Sequence, residues 1–378
     1  MILTSIVVAS FCFPLFFYKY PFYANRRNLC SVFAVQSINF CFRYIFPIIF
    51  LSLLWGLRYD VGTDYLSYKE IYENNFTGTV WESLSESNVE YLYALISHVL
   101  YHLGMPYYVM FVIMALIPLI FYYKAFRDKP FLFGYASFFL MALGVLFWYF
   151  NIQRQGISFF ILLYSVDFIR RKRFFSFLVC IIVAMGFHIS SLLFLFCYLF
   201  AYLRPTLILN RKFLLLLYLL TWILSYPLQN ILLQIISNAL VGKYSAYVNI
   251  VDSWMMGTGS GIGLLIMHII DIILIVTSPF LCKVYSNYRY DVYFRIFFVG
   301  VLFANIAGLN MVLSRFPFCF VSMRIILMAF LTCYVLKKWN NRNIYFVKIA
   351  WLNSVLLSIS LLFANIMNTP YRFVSLFN

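Results

Sequence analysis

The sequence contains few acidic residues, and this scarcity is the first constraint on its class. Only 12 of the 378 residues are Asp or Glu, and 11% of the chain is charged, whereas 64% is hydrophobic. Soluble globular domains contain about 25% charged residues. The composition therefore excludes a soluble protein. It predicts an all-α polytopic integral membrane protein in which residues 1–378 form a single transmembrane domain.

Patterns typical of metal or disulfide sites are also missing. The eight cysteines are scattered, and none forms a Cys-x-x-Cys pair, so we interpret them as small buried hydrophobic residues. His98 and His102 are four residues apart without a His-Glu-x-x-His pattern, and helix packing explains them better than a metal. No cofactor is expected. No internal repeat is evident, which disfavours a transporter with symmetric halves.

Long apolar runs dominate what is present. A helix needs about 20 apolar residues to cross a membrane. The first run resembles part of a signal peptide but lacks a basic start and a cleavage site, so we interpret it as a retained span. The predicted spans are about 2–18, 38–56, 107–123, 131–149, 155–170, 174–188, 189–203, 213–229, 262–282, 293–313, 318–336 and 345–367.

The positive charges form short clusters at every second connection between these runs. This is the pattern of cytoplasmic loops under the positive-inside rule. It argues against nucleic-acid binding despite the net charge of +16, because the clusters form no continuous basic face. It also places the acidic region 58–106, the loop 230–261 and both termini on the outer side.

Two segments leave the number of crossings open. Segment 91–104 is apolar but short, and the charge alternation holds only if it forms an interfacial or re-entrant helix. Segment 174–203 has Gly186 and His188 at its middle. It forms either two short helices with a tight outer turn or a re-entrant hairpin. Both alternatives preserve the alternation and give about 10 to 12 crossings.

One acidic island, residues 58–90, interrupts this pattern. It holds seven of the 12 acidic residues and only two basic ones, Arg58 and Lys69. A polar segment is costly inside a membrane unless it faces water, so we expect it to mark the functional face. It begins Arg58-Tyr-Asp-Val-Gly-Thr-Asp64-Tyr65. With the short helix that follows, it makes up the outer acidic loop 58–106.

Several basic residues lie on the outer side, where the positive-inside rule does not place them. Guanidinium groups make paired contacts with phosphate, and several of them together match a diphosphate. The Gly-rich stretch 257–263 either adds backbone N–H donors or serves as a hinge, since its spacing fits no nucleotide-binding motif. The basic candidates are Arg58, Arg154, Lys243, Arg315 and Arg372, with Arg324 two to three turns deeper.

Histidine and tyrosine residues complete the candidate set. His188 lies at the predicted outer turn beside Ser190. Exposed tyrosine rings in outer loops can stack on sugars, which is the role expected here for Tyr65, Tyr68, Tyr72, Tyr244 and Tyr247.

A second polar group lies inside a predicted span. His268 and Asp271 are one helical turn apart. We interpret them as structural residues that pair with each other or with Arg295.

In order along the chain, these elements resemble the EpsG-type polysaccharide polymerases, relatives of the Wzy O-antigen polymerases. The resemblance covers about residues 55–330, and one departure from the family pattern is Pro317-Phe-Cys319-Phe after the Arg-Phe element. The matching elements are Arg58-(x)3-Gly62-Thr63-Asp64-Tyr65-(x)2-Tyr68, Arg154-Gln155, Phe187-His188-x-Ser190, Lys243-Tyr244-(x)2-Tyr247 and Arg315-Phe316.

The resemblance implies a glycosyltransferase of the bacterial inner (plasma) membrane with a GT-C-like helical fold. Its outer loops would form a site that faces the periplasm. Such an enzyme joins oligosaccharide repeat units carried on undecaprenyl pyrophosphate, in O-antigen or lipopolysaccharide biosynthesis. Its partners would be this lipid-linked oligosaccharide, the lipid bilayer and a separate chain-length regulator.

The chemistry requires a stabilised diphosphate and an activated sugar hydroxyl. Arg154 and Arg315, joined by Arg58 and Arg324, are the candidates for the first task. Two candidates remain for the general base, His188 and Asp64, and the sequence does not decide between them. Imidazole suits the role because its unperturbed pKa is about 6.5. The reaction is expected to be independent of metal.

Three other functions compete. A flippase for lipid-linked oligosaccharide needs cations at both faces of its path, whereas the candidates here cluster outside. An O-antigen ligase uses nearly the same chemistry, and only the Gly-Thr-Asp-Tyr resemblance favours the polymerase over it. An acyltransferase takes its acyl donor from the cytoplasm, on the side opposite to the predicted position of His188.

Overall fold

The computed structural model describes residues 45–87, 89–203, 210–239, 261–307, 313–368, 372 and 374. Within these ranges the regular structure is helical apart from one isolated β-bridge at Arg58. The predicted span 2–18 lies outside the described residues. The chain divides into two compact units, unit 1 (Met1–Phe168, Arg173–Leu195 and Ser358–Asn378) and unit 2 (Ile169–Lys172 and Phe196–Leu357).

Unit 1 contains the acidic island and the apolar helices around it. A 3₁₀ segment, Ile189–Ala201, begins in unit 1 and ends in unit 2. The α-helices of unit 1 are α1 (Phe46–Gly56), α2 (Tyr65–Asn74), α3 (Val80–Glu86), α4 (Tyr91–His102), α5 (Tyr107–Ala125), α6 (Phe133–Ala142), α7 (Val145–Asn151), most of α8 (Gln153–Arg170), and α9 (Phe174–Met185).

Unit 2 holds the later apolar helices. Its last helix, α16, begins in unit 2 and ends in unit 1. The helices are α10 (Arg211–Ile223), α11 (Ser225–Ala239), α12 (Ile262–Val284), α13 (Tyr290–Ala307), α14 (Phe318–Val321), α15 (Arg324–Lys337) and α16 (Tyr345–Asn368).

Among the described residues, five helices are long and apolar enough to cross a membrane. Two bent pairs raise this number to seven if each pair is one span. The chain is thus a multi-pass helical membrane protein, as predicted, whereas the total of about 10 to 12 crossings stays a prediction. The five are Tyr107–Ala125, Ile262–Val284, Tyr290–Ala307, Leu313–Lys337 and Arg342–Asn368.

Two predicted straight spans are broken. Pro130–Ala142 and Val145–Asn151 meet at 57°, so the predicted span 131–149 bends. Arg211–Ile223 and Ser225–Ile231 meet at 70° within the predicted span 213–229. Segment 174–203 forms two helical pieces, α9 and Ile189–Ala201, on either side of residues 186–188. Whether these two pieces cross the membrane stays a prediction.

The acidic island is built from helices rather than from an open loop. Tyr65, Tyr68 and Tyr72 recur at helical spacing and are at most 5% exposed, so they form the buried face of α2. The helical position of these rings corrects the prediction that they lie in a loop. In α3, Thr79 and Glu82 form a reciprocal capping box. One acid of the island thus has a structural role. The helix expected over 91–104 is present as α4.

The Gly-Thr-Asp-Tyr element joins α1 to α2 and docks on the end of α7. Gly62 has φ of +99°, a conformation that L side chains rarely adopt, and a Cβ there would lie 2.4 Å from the carbonyl oxygen of Phe150. The amide of Thr63 donates to Oδ1 of Asn151 at 3.0 Å. The element therefore fixes the start of α2 against the segment that leads into α8.

Candidate active site

One carboxylate in unit 1 connects two of the predicted site residues. Arg154 Nη1 donates to Glu90 Oε2, and His188 Nδ1 lies 2.9 Å from Glu90 Oε1. The amide of Ile189 also donates to Glu90 Oε1, at 3.3 Å. The side chains are 14% (Glu90), 24% (Arg154) and 22% (His188) exposed. The cluster Glu90–Arg154–His188 is therefore largely desolvated but still open to a ligand.

The backbone brings these three residues together. Glu90 is the N-cap residue of α4, and the amides of Leu92 and Tyr93, in the first turn of that helix, donate to the carbonyl of Gly186 at 2.9 and 3.2 Å. A Cβ at Gly186 would lie 2.4 Å from Leu92 Cγ, so this close approach requires glycine. The start of α4 thus sits on the turn that carries His188.

A second contact ties the remaining helices of the cluster. Ser158 Oγ donates to the carbonyl of Ala184 at 2.8 Å, which joins α8 to α9. Arg154 lies in the first turn of α8, and its guanidinium carbon is 5.9 Å from the ring centre of Tyr68. The acidic island, α8 and α9 therefore each contribute to one site.

The surroundings keep Glu90 ionised. Burial by itself would raise the pKa of this carboxyl group, but the hydrogen bond with His188 and the positive charge of Arg154 outweigh burial and hold the pKa below its ordinary value of 4.5. When Nδ1 of His188 donates to this carboxylate, the neutral imidazole carries its lone pair on Nε2. Nε2 forms no hydrogen bond with any described residue. The arrangement is that of a base oriented by a carboxylate.

Arg154 also has spare donor capacity. Its Nε is buried without a hydrogen-bond partner among the described residues. A guanidinium offers five N–H groups, and a buried unsatisfied donor is costly. Nε itself has no exposed surface, so an oxygen-rich anion would meet Arg154 at the exposed part of its side chain.

Arg58 and Tyr65, two predicted substrate-binding residues, lie inside unit 1 in this structure. Both are 0% exposed. Arg58 donates to the carbonyls of Trp55 (2.7 Å) and Val61 (3.3 Å). Its guanidinium carbon is 4.9 Å from the ring centre of Phe111, on which Tyr65 also stacks. These contacts fit a buried cation held by carbonyls and aromatic faces, and direct substrate binding by either residue stays a prediction.

Asp64, the rival base, is the N-cap residue of α2 and is half-buried. Its Oδ1 accepts a hydrogen bond from Thr63 Oγ1 at 3.1 Å. It forms no ion pair with a described residue, unlike Glu90. The structure thus keeps Asp64 and His188 as separate candidates, of which only His188 has an orienting carboxylate.

A second polar cluster lies in unit 2. Arg324 donates to both oxygens of Asp271, at 2.6 and 2.9 Å. His268 Nδ1 lies 2.6 Å from the hydroxyl of Tyr218. The expectation that Asp271 pairs with His268 or Arg295 is therefore wrong, because Arg324 occupies both oxygens. Arg315, in the short 3₁₀ helix Leu313–Arg315, is half-buried.

The remaining predicted site residues fall at or beyond the edge of the described chain. Lys243, Tyr244 and Tyr247 lie outside the described residues. Arg372 is exposed, and its carbonyl accepts from the amide of Tyr59 at 2.8 Å, while the amide of Val374 donates to Leu57. This short pairing holds the tail beside the start of the acidic island.

Metal and cofactor sites were not predicted. Among the described residues, no group of three or more His, Cys, Asp or Glu side chains could hold a metal ion. Independence from metal stays a prediction.

Glu90 is the site residue that sequence reasoning missed. It was counted in the acidic island but given no role. Its signal was weak, because it differs from the other six acids only by standing directly before an apolar helix. Its partners Arg154 and His188 are 64 and 98 residues away in the chain, and no local pattern connects such positions.

Similarity to known proteins is found at the level of the family. Among curated proteins and among solved structures, no significant match to the chain is found. A family model does match: the EpsG family covers residues 41–373, nearly the whole chain, and this family includes Wzy-type polymerases. The resemblance inferred from the sequence motifs is confirmed, and the chain belongs to the EpsG family.

Proposed function

We propose that this protein is a polysaccharide polymerase, a glycosyltransferase that joins oligosaccharide repeat units carried on undecaprenyl pyrophosphate, with Glu90–Arg154–His188 as its reaction centre. Membership of the EpsG family supports the class. The single observation that carries the proposal is the Glu90 carboxylate, which contacts both the imidazole of His188 and the guanidinium of Arg154.

In the proposed reaction, Nε2 of His188 takes the proton from a hydroxyl of the acceptor sugar. The hydroxyl oxygen forms a bond to the anomeric carbon of the donor sugar, and the bond from that carbon to the diphosphate oxygen breaks. The electron pair and negative charge leave with the lipid diphosphate, and the proton stays on His188. Direct displacement of this kind predicts inversion at the anomeric carbon.

Glu90 and Arg154 support the two ends of this transfer. The Glu90 carboxylate orients the imidazole and stabilises the imidazolium that forms. Arg154 directs its remaining N–H donors to the diphosphate, where negative charge develops. Arg315 lies in unit 2, and its role at a diphosphate stays the prediction made from the sequence. Arg324 already engages Asp271 through two hydrogen bonds, so we assign it a structural role.

The proposed setting follows from the charge pattern and the family. The protein would lie in the bacterial inner membrane with the cluster on the periplasmic side, in a GT-C-like fold. Its partners would be the lipid-linked oligosaccharide and a separate chain-length regulator. Neither a metal nor an organic cofactor takes part in the proposed reaction.

Glycan length in cells tests the function. The gene would be deleted and complemented with wild type, Arg154→Ala, His188→Ala and His102→Ala, and lipid-linked glycan would be resolved on a gel. His102 is an exposed histidine at the end of α4 and serves as the matched control. Expression of each variant in the membrane would be checked by immunoblot.

The proposal predicts a ladder with wild type and His102→Ala, and single repeat units on the outer side of the membrane in the deletion strain and the other two variants. Repeat units trapped on the cytoplasmic side would indicate a flippase instead. Long chains that stay on the lipid carrier would indicate a ligase. An unchanged ladder in the deletion strain would contradict every glycan-extending function.

A further inference from the structure

An apolar groove in unit 1 has no role in the proposed reaction. It has a volume of about 330 Å³ and lies between α5, α8 and α9. Val179 in its wall is 59% exposed, so the groove opens onto the surface of the unit. The residues that define its path are Phe121 in α5, Ile161, Tyr164 and Phe168 in α8, and Val179 and Val183 in α9.

The groove and the reaction centre share one pair of helices. Arg154 stands in the first turn of α8, and the groove residues of that helix follow it. On the other wall, α9 ends at Met185, just before His188. The hydrogen bond from Ser158 to Ala184 holds α8 against α9 between the reaction centre and the groove. The groove therefore continues along the helices from the point where the site ends.

The depth of the groove indicates what could fill it. An α-helix rises about 1.5 Å per residue, so Ile161 and Phe168 lie roughly 10 and 21 Å along α8 from Arg154. Half of the hydrocarbon core is about 15 Å thick. If its head group lay at Arg154, an ordinary phospholipid chain would end near the middle of this groove. Only a longer chain would reach Phe168.

We propose that this groove binds the polyisoprenoid chain of a lipid diphosphate whose diphosphate group lies at Arg154. The inference rests on the proposed function and adds the lipid subsite to it. Lipid tails are as apolar as the groove, so burial gives no hydrophobic gain. Affinity for the chain comes from packing against the aromatic and branched walls, and the bound diphosphate raises the local concentration of the chain.

A comparison of chain lengths tests the groove. Protein reconstituted in phosphatidylcholine vesicles would receive two donors with the same glycan and diphosphate, one on an undecaprenyl chain and one on a geranyl chain, which reaches only the upper end of the groove. We expect Val179→Trp to lower the ratio of long-chain to short-chain rates about threefold to tenfold, an effect of packing size. Ile182→Trp, on the same helix and 51% exposed but outside the groove lining, should leave the ratio unchanged.

An unchanged ratio in Val179→Trp would overturn the groove while leaving the polymerase in place. If wild type extended neither donor, the polymerase proposal itself would fail. The groove would then be judged by crosslinking on the wild-type protein, using undecaprenyl diphosphate with a diazirine in the distal half of its chain. Labels on Tyr107–Ala125, Gln153–Arg170 or Phe174–Met185 support the groove, and labels only on other helices overturn it.

Discussion

Each of the two units contains a carboxylate, an arginine and a histidine, in two different arrangements. In unit 1 the carboxylate of Glu90 is shared between Arg154 and His188. In unit 2 the carboxylate of Asp271 gives both oxygens to Arg324, and His268 bonds to Tyr218 instead. The Glu90 cluster is 14% to 24% exposed, whereas Arg324 and Asp271 are 12% and 6% exposed. The Glu90 cluster therefore keeps N–H donors and an imidazole lone pair for a ligand, whereas the Asp271–Arg324 pair links two helices.

The arginines should show the largest contrast. Arg154→Ala should reduce the rate of sugar transfer about 10²-fold to 10³-fold, because a preorganised donor for the developing charge is lost. Arg324→Ala should instead lower stability by about 3 kcal/mol, because it leaves Asp271 buried without its partner. Transfer rates in vesicles and thermal unfolding in detergent would be measured for both. Equal effects on rate at equal stability would contradict the division of roles.

Substitution of the two carboxylates should also separate an effect on rate from an effect on stability, and the change in rate should be smaller than for the arginines. Glu90→Gln should slow transfer about 10-fold to 100-fold, since the amide still holds the ring but cannot stabilise an imidazolium. Asp271→Asn should leave the rate within about threefold of wild type and lower only stability. Transfer rates in vesicles and thermal unfolding would be measured for both variants. A normal rate in Glu90→Gln would show that Glu90 has only a structural role.

Backbone packing beneath the unit 1 cluster gives a third comparison. Gly186→Ala should destabilise the protein by about 1 to 3 kcal/mol, because the new Cβ meets Leu92 and forces the start of α4 to move. Gly261→Ala is the matched control in unit 2, since a Cβ there has no neighbour within 4 Å among the described residues. Thermal unfolding of both variants would check this. A larger loss from Gly261→Ala would contradict the packing described for Gly186.

Acidification should have the smallest effect. The pKa of Glu90 lies below its ordinary value of 4.5 in the folded protein. The ion pair therefore adds stability at pH values above 4.5, and this contribution is lost as pH falls through the folded pKa. The stability difference between wild type and Glu90→Gln should thus be constant near neutral pH and shrink in acid. A difference that grew in acid would contradict the direction of this pKa shift.

Local patterns made the class of the protein predictable. Hydrophobic length identified the apolar helices, and the motifs around Asp64, Arg154 and His188 identified the family. Such signals depend on residues that are near each other in the chain. The helical character of the acidic island was also readable, since Tyr65, Tyr68 and Tyr72 repeat with a helical period, but the polar composition around them concealed it.

Contacts between distant residues were not predictable in this way. Glu90 meets His188 only because the first amides of α4 bond to the carbonyl of Gly186. The pairing of Asp271 with Arg324 joins two helices 53 residues apart, and the nearer His268 was the natural but wrong expectation. The bends within 131–149 and 213–229 likewise interrupt continuous apolar runs, in which composition alone favours a straight helix.

The most direct test of the reaction centre compares the two histidines. The rate of sugar transfer from an undecaprenyl-diphosphate donor would be measured in vesicles for wild type, His188→Ala and His268→Ala, at equal amounts of folded protein. We expect a loss of about 10²-fold to 10⁴-fold for His188→Ala, as for a missing general base. For His268→Ala we expect a rate within about threefold of wild type, a change of less than about 1 kcal/mol in the barrier. A near-normal rate for His188→Ala would contradict the role of His188 as the base and leave Asp64 as the candidate.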